Sequence, residues 1–228
     1  MKPTTRRGKP RIHWTPSSEP TDWTPCSLAI QLWDHLTQSP PFGPPRLVLE
    51  REGPAGQWHP VPQQATVTPS GLHTWMRLEH RRLAVGAPPV RHRLRVESEL
   101  YVPGFREVLD YAFFSIQPYD DQNVPPTATP APARVLLYPS AAYPFDPHLP
   151  VLRGSVVDGN GRPVRDAHLS QGTDERALTN AQGQYALPLR FVRPGPAVVH
   201  VKDRQGRTAT ESITVPQSLS TAVTITLR

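Results

Sequence analysis

The sequence predicts an all-β protein built from two tandem β-sandwiches joined by a proline-rich linker. Three observations predict this class: apolar residues alternate with polar ones at a spacing of two, turn residues separate the short apolar runs, and the two halves of the chain resemble each other. The 30 prolines lie between the apolar runs, where turns tolerate them and long helices would not. The 228 residues leave room for both sandwiches.

The C-terminal part carries the clearest pattern. An apolar strand at 151–157 runs into the turn DGNG at 158–161, where glycine and asparagine tolerate a positive φ. Pro163 and Val164 lead into a short strand around 167–169, and "T…G.Y.L" follows at 179–187. This order resembles the carboxypeptidase regulatory-like domain, a small transthyretin-like (prealbumin-like), Ig-like β-sandwich. The resemblance implies a module that binds and spaces other groups and rarely does chemistry itself.

The N-terminal half reads as a degraded copy of the same unit, with Gln38 in place of the turn glycine. A buried strand at 111–116 closes this copy, and a Thr-Pro and Ala-Pro alternation after it predicts a semi-rigid spacer. Matching segments of the two copies are 28–34 with the strand ending at 158, 46–50 with 167–169, 67–78 with 178–189, and 91–96 with 197–201. The predicted divisions are a basic arm at 1–25, a first sandwich at 26–117, a linker at 118–134 and a second sandwich at 135–228.

The formal charge of +6 is carried almost wholly by arginine, and Cys26 is the single cysteine, so no intrachain disulfide is expected. The arm has no apolar segment of the kind that a secretory signal needs, and no run of 18 apolar residues predicts a membrane span. We therefore expect a soluble protein that is cytoplasmic when made, and that leaves the cell only as part of a particle.

No pattern of catalytic residues emerges. The nine histidines show no HxxxH or HExxH pairing, GxSxG is absent, and the glycine turn at 158–161 precedes no helix that could hold a phosphate. The adjacent acids Asp120 and Asp121 sit in a loop and would face apart on a strand, so they form no acid/base couple. We expect no enzyme activity, no cofactor and no metal site.

Three groups of side chains are candidates for binding a protein partner. The basic arm could contact an acidic surface, and alternate arginines on the predicted strand at 90–97 would form a row on one face. A solvated tail and an ordinary wet sheet face are the competing interpretations, and nucleic acid is disfavoured because few aromatic residues interleave with the charges. The candidates are Arg6, Arg7, Arg11, Arg91, Arg93, Arg95, Tyr138, Tyr143 and Phe145.

The tryptophans Trp33, Trp58 and Trp75 fall in or beside first-copy strands and are expected in the core, with a carbohydrate-binding aromatic face as the alternative. The segments ELYVP at 99–103 and LLYPSAAYPF at 136–145 resemble accessory or cap proteins of contractile, phage-tail-like injection particles. That resemblance implies a non-enzymatic assembly protein whose partners are tube, sheath or cap proteins, or further copies of itself, without a membrane. The alternatives are a free-standing peptide- or glycan-binding module and a regulatory subunit of a separately encoded hydrolase.

Overall fold

The computed structural model describes residues 26–43, 45–82, 84–104, 111–122 and 132–228. Over this part of the chain sixteen β-strands and one short 3-10 turn, Gln217–Leu219, form two β-sandwiches, which confirms the predicted fold class. These described segments hold no helix with the length and apolarity of a membrane span.

The first sandwich consists of nine strands in two sheets. One sheet has the order β4-β5-β1-β9-β7 and the other has the order β3-β2-β6-β8. The strands are β1 Cys26–Asp34, β2 Arg46–Glu52, β3 Trp58–Pro60, β4 Thr66–Val67, β5 Leu72–Met76, β6 Val90–Glu97, β7 Tyr101–Gly104, β8 Ala112–Ile116 and β9 Ala133–Pro139.

The second sandwich consists of seven strands, again in two sheets. The orders are β13-β10-β16 and β12-β11-β14-β15. The strands are β10 Val151–Val157, β11 His168–Gln171, β12 Glu175–Leu178, β13 Gln184–Pro188, β14 Gly195–Lys202, β15 Thr208–Val215 and β16 Val223–Thr226.

The two sandwiches share one pairing scheme, in agreement with the internal repeat in the sequence. Strand β1 is antiparallel to β5 and parallel to β9, and β10 is antiparallel to β13 and parallel to β16. The other sheets also correspond, with β2, β6 and β8 in the places of β11, β14 and β15. Even the turns match: Gln38, with φ of 52°, stands where Gly161 has φ of 76°, so the first copy holds a left-handed conformation without glycine.

The boundary between the sandwiches lies later than the sequence predicted. Strand β9 pairs in parallel with β1, from Ile30 beside Ala133 to Asp34 beside Leu137, and antiparallel with β7. Residues 135–139 therefore belong to the first sandwich, and the second begins at Val151 rather than at residue 135. The proline-rich stretch at 118–134 connects β8 to β9 within one sandwich instead of joining two, and its residues 123–131 lie outside the described part.

Each sandwich has its own apolar core between its two sheets, because alternate residues of each strand point inward. The first core is centred on Ile30, Trp75 and Leu94, and the second on Leu152, Tyr185 and Leu187. A third, small cluster joins the sandwiches and contains Val102, Leu136, Tyr138 and Leu178.

The junction between the sandwiches is a direct packing contact. The ring of Tyr138 stacks on His35 of the first sandwich at 4.8 Å and meets the edge of His168 of the second at 6.4 Å, both distances between ring centroids. Arg190 donates from Nη1 to the carbonyl oxygen of Leu36 at 2.6 Å, and Arg153 donates to that of Ala141 at 2.8 Å. Apolar contacts and hydrogen bonds together hold the two sandwiches against each other.

Candidate protein-docking face

The arginine row lies on the outer face of the sheet β3-β2-β6-β8. Along β6 the side chains of His92, Leu94 and Val96 are buried, while the intervening arginines point outward. This alternation confirms the predicted placement of Arg91, Arg93 and Arg95 on one face. Their role in binding a partner stays a prediction.

Glutamates of the same sheet neutralise this row. The antiparallel register of β2 and β6 sets Glu50 opposite Arg93, and their side chains meet at 2.6 Å between Oε2 and Nε. Arg91 pairs with Glu52 at 3.5 Å, and Arg95 pairs with Glu97 at 2.7 Å. Because each guanidinium already faces a carboxylate, the row is not the open cationic stripe that the sequence indicated.

Aromatic rings complete the face. The guanidinium carbon of Arg93 lies 4.5 Å from the ring centroid of Trp58 and 3.9 Å from that of Tyr111. Arg91 lies 5.3 Å from the ring of Phe113, and Trp58 meets Phe113 edge to face at 5.8 Å. At these distances the ring faces attract the cations. Arginines, rings and glutamates form one patch across β3, β2, β6 and β8, which we call the docking face.

The tryptophans divide between core and surface. Trp75 is 1% exposed and lies in the first core, as predicted. The core prediction is wrong for Trp58, which packs on the docking face, and for Trp33, which lies half-buried beneath Arg134 at 4.7 Å. Both are held by cation–π contacts with outward arginines, which a pattern of apolar residues does not reveal.

The other predicted contact residues do not join this face. Tyr138 and Tyr143 are both less than a tenth exposed, the first at the junction of the sandwiches and the second in the first core. These two rings stabilise the chain itself, which corrects the prediction that they contact a neighbour. Phe145 packs against the same core with Arg153 over its ring at 5.3 Å. Arg6, Arg7 and Arg11 lie outside the described residues.

One end of the first sandwich is organised by a buried carboxylate that no sequence pattern singles out. Asp34 is fully buried and accepts the backbone N–H of Leu36 at 2.7 Å and the hydroxyls of Tyr101 at 3.1 Å and Tyr143 at 3.2 Å. Burial, followed by the charge of Asp34, raises the pKa of Tyr143, and burial also raises that of Tyr101. The tyrosines stay protonated and act as donors, so the cluster is structural.

A second buried cluster joins β6 to the loop after β5. Glu79 accepts hydrogen bonds from Arg51 and from Arg81, and lies 3.4 Å from Nε2 of His92. Burial alone would raise the pKa of Glu79, but the hydrogen bonds from the arginines outweigh it and lower that pKa, while burial lowers the pKa of His92. The other ring nitrogen of His92 faces the carbonyl of Val90 at 3.2 Å. Both nitrogens are therefore directed at the protein, and neither is presented to a substrate.

Over the described ranges, no three histidine, cysteine, aspartate or glutamate side chains are grouped as metal ligands. The arrangement instead offers an outward sheet face in which charge is balanced and half-buried aromatic rings lie between the charges.

Comparison with known proteins finds a family match for the C-terminal sandwich. Residues 151–228 match the family described as carboxypeptidase regulatory-like domain, while no curated protein matches the chain. The solved structure of the Bacillus anthracis TIE protein is 11% identical, with a TM-score of 0.27, and the alignment covers 88% of this chain and 32% of that one. The chain thus spans about a third of the length of that protein.

The matched range begins at β10 and ends with the chain, so it coincides with the second sandwich. Carboxypeptidase regulatory-like domains are non-catalytic modules, which fits a binding or structural role for this sandwich. Residues 151–228 are accordingly similar to a carboxypeptidase regulatory-like domain, fused here to a first sandwich that repeats its strand order.

Proposed function

We propose that the chain is a non-enzymatic adaptor that holds a protein partner on its docking face. The observation that carries the proposal is the packing of Arg91 and Arg93 among Trp58, Tyr111 and Phe113 on an outward sheet surface. Tryptophan, tyrosine and arginine are the residues most enriched where binding energy concentrates in protein interfaces.

The ion pairs of the docking face define the kind of partner. Since Glu50 and Glu52 already neutralise Arg93 and Arg91, a strongly acidic partner would gain little by pairing with the row. A partner with an apolar centre and a polar rim fits better, because it would cover the rings and leave the ion pairs at the edge. The guanidinium of Arg93, held between two rings and a carboxylate, loses little further freedom on binding.

The packed junction supports the role of a spacer. Apolar packing around Tyr138 and the hydrogen bond from Arg190 to Leu36 resist relative motion of the sandwiches, so a partner on one would keep a fixed distance from whatever the other contacts. Following the sequence resemblance, we propose that the partner is a tube, sheath or cap protein of a contractile tail-like particle.

Sedimentation of host lysate tests whether the chain associates with a particle and whether the docking face holds it there. Tagged full-length protein should pellet with a particle, whose proteins mass spectrometry identifies, and Trp58→Ala or Arg93→Ala should move it to the supernatant. Phe42→Ala removes an exposed ring outside the docking face and should leave the distribution unchanged. Wild-type protein that stays in the supernatant as a monomer would contradict the particle. Pelleting that survives both docking-face variants would contradict the face.

A further inference from the structure

The second sandwich carries a basic surface on the face that corresponds to the docking face. The register aligns His168 of β11 with Lys202 of β14 and Thr208 of β15, and it aligns Ser170 with His200 and Thr210 in the next row. Arg176 of β12 stands opposite Ser170 on the other side. Four basic side chains thus lie in two neighbouring rows that cross four strands.

The surface is concave. A groove of about 460 Å³ opens along β11, β14 and β15, beside the edge strand of the sheet. Hydroxyl groups alternate with the basic side chains in its lining, and none of the lining residues carries a carboxylate. The groove is lined by His168, Ser170, His200, Val201, Lys202, Thr208, Ala209 and Thr210.

Unlike the docking face, this surface does not neutralise itself. Within the described ranges, neither His200 nor Lys202 forms an ion pair, and Arg176 donates only to the carbonyl of Thr173 at 3.3 Å. Among the nearby acids, Glu175 pairs with Arg190 and Asp203 with Arg207. Glu211 follows Thr210 on β15, opposite the buried Val199, so the strand alternation turns it to the other face of the sheet. Strand β11 corresponds to β2 of the first sandwich, but it carries Ser170 and its uncharged neighbours where β2 carries Glu50 and Glu52.

We propose that this groove binds an extended acidic segment of a partner protein. Charge complementarity selects the chemistry, because Lys202 and Arg176 have no carboxylate partner in the described ranges and stand beside hydroxyl and imidazole groups that can donate to carboxylates. The spread of the charges selects a segment over a single small anion: strands lie about 4.8 Å apart, so the charges from β12 to β14 extend over roughly 10 Å. Alternate side chains of an extended segment repeat every ~7 Å and can reach several of them.

The inference adds a second docking surface to the one proposed above and does not depend on it. The docking face lies on the first sandwich and the groove on the second, and the junction fixes their separation. A chain that engages different partners on the two surfaces would bridge them.

A peptide-binding titration with the full-length protein tests the groove. The probe is a fluorescein-labelled peptide of about eight glutamates, followed by fluorescence anisotropy at low salt. We expect saturable binding that weakens with added salt and falls roughly tenfold in Lys202→Glu and in His200→Glu. Arg162→Glu makes a similar charge reversal in an exposed turn of the same sandwich and should weaken binding much less. Circular dichroism of each variant verifies that it is folded.

Three results would overturn the proposal: no saturation at low salt, equal weakening by Arg162→Glu and Lys202→Glu, or displacement of the peptide by inorganic phosphate at comparable concentration. The second would indicate attraction to the net charge alone, and the third a site for a small anion.

Discussion

At the scale of single residues, Asp34 decides how one end of the first sandwich is held together. Its carboxylate has no exposed surface and accepts from one backbone N–H and two tyrosine hydroxyls within 3.2 Å. Replacing it by alanine would leave these buried donors without an acceptor, so Asp34→Ala should lower the free energy of unfolding by roughly 3 kcal/mol. Urea denaturation followed by tryptophan fluorescence measures the loss.

The repeat supplies the control for this variant. Asp158 occupies the same place in the second sandwich, but its exposed carboxylate accepts only the N–H groups of Asn160 and Arg162 in a surface turn. Asp158→Ala should therefore cost much less stability than Asp34→Ala. Equal losses would show that the turn, and not the buried network, is what Asp34 stabilises.

The sequence predicts the placement of a side chain correctly where the alternation along a single strand determines it. The alternation along β6 correctly placed Arg91, Arg93 and Arg95 on one face. It could not reveal that Glu50 and Tyr111 flank Arg93, because Glu50 belongs to β2 and Tyr111 directly precedes β8, and both are distant from Arg93 in sequence. The outward placement of these arginines could thus be predicted from sequence, but the charge balance around them depends on strand register, which no local pattern encodes.

At the scale of elements, the pair β10–β16 depends on a glycine that the sequence does not mark as special. A Cβ on Gly154 would overlap the carbonyl oxygen of Val223 and would lie 2.8 Å from the hydroxyl of Tyr185. Gly154→Ala should therefore separate β16 from β10 and destabilise the second sandwich by about 3 kcal/mol or more. Thermal unfolding followed by circular dichroism measures this.

Gly159→Ala is the matched control, since a Cβ there would meet nothing within 4 Å. It should leave the melting temperature nearly unchanged. A melting temperature of Gly154→Ala close to that of the wild type would mean that β16 adjusts to the added methyl group without losing its pairing.

Strand β9 shows why the domain boundary could not be read from local patterns. Its apolar run stands after the proline-rich stretch, so its position in the sequence predicts that it belongs to the following sandwich. It pairs instead with β1, about 100 residues earlier. The internal repeat in the sequence does predict the correct pairing of β9. The second copy ends with β16 parallel to β10, so the first copy requires an equivalent partner for β1, and β9 is that partner.

At the scale of the whole molecule, the contact around Leu178 keeps the two sandwiches together. Leu178 is 9% exposed and packs with Val102 and Tyr138 of the first sandwich rather than in its own core. Leu178→Asp buries a carboxylate at the junction and should break that contact, at a cost of about 2 kcal/mol or more, without unfolding either core. Small-angle X-ray scattering should show a larger radius of gyration with an unchanged circular dichroism spectrum.

Val198→Asp adds the same charge on the outer face of β14, at an apolar side chain that is 40% exposed, and should leave the radius of gyration unchanged. If Leu178→Asp keeps the compact dimensions of the wild type, the hydrogen bonds of Arg190 and Arg153 are enough to hold the sandwiches together.

The same junction makes stability depend on pH. Burial lowers the pKa of both His35 and His168. At His35 the positive charges of Arg190 and Arg176 lower the pKa further, and the negative charge of Asp34 opposes them. At His168 the charge of Arg176 lowers the pKa further. In the unfolded chain both titrate near the ordinary value of about 6.5, so between that value and their lowered pKa values the unfolded state binds more protons. The free energy of unfolding should therefore fall as the pH drops from about 7 to about 5.

Half-buried His73 and buried His92 also have lowered pKa values and act in the same direction, so the contribution of the junction must be separated by mutation. The double variant His35→Gln and His168→Gln places uncharged side chains beside Tyr138 at every pH. Its free energy of unfolding, measured by urea denaturation at several pH values, should fall less steeply with acidification than that of the wild type. Identical slopes would locate the pH dependence within the sandwiches, whereas a shallower slope would mean that acid weakens the contact that sets the spacing between the two surfaces.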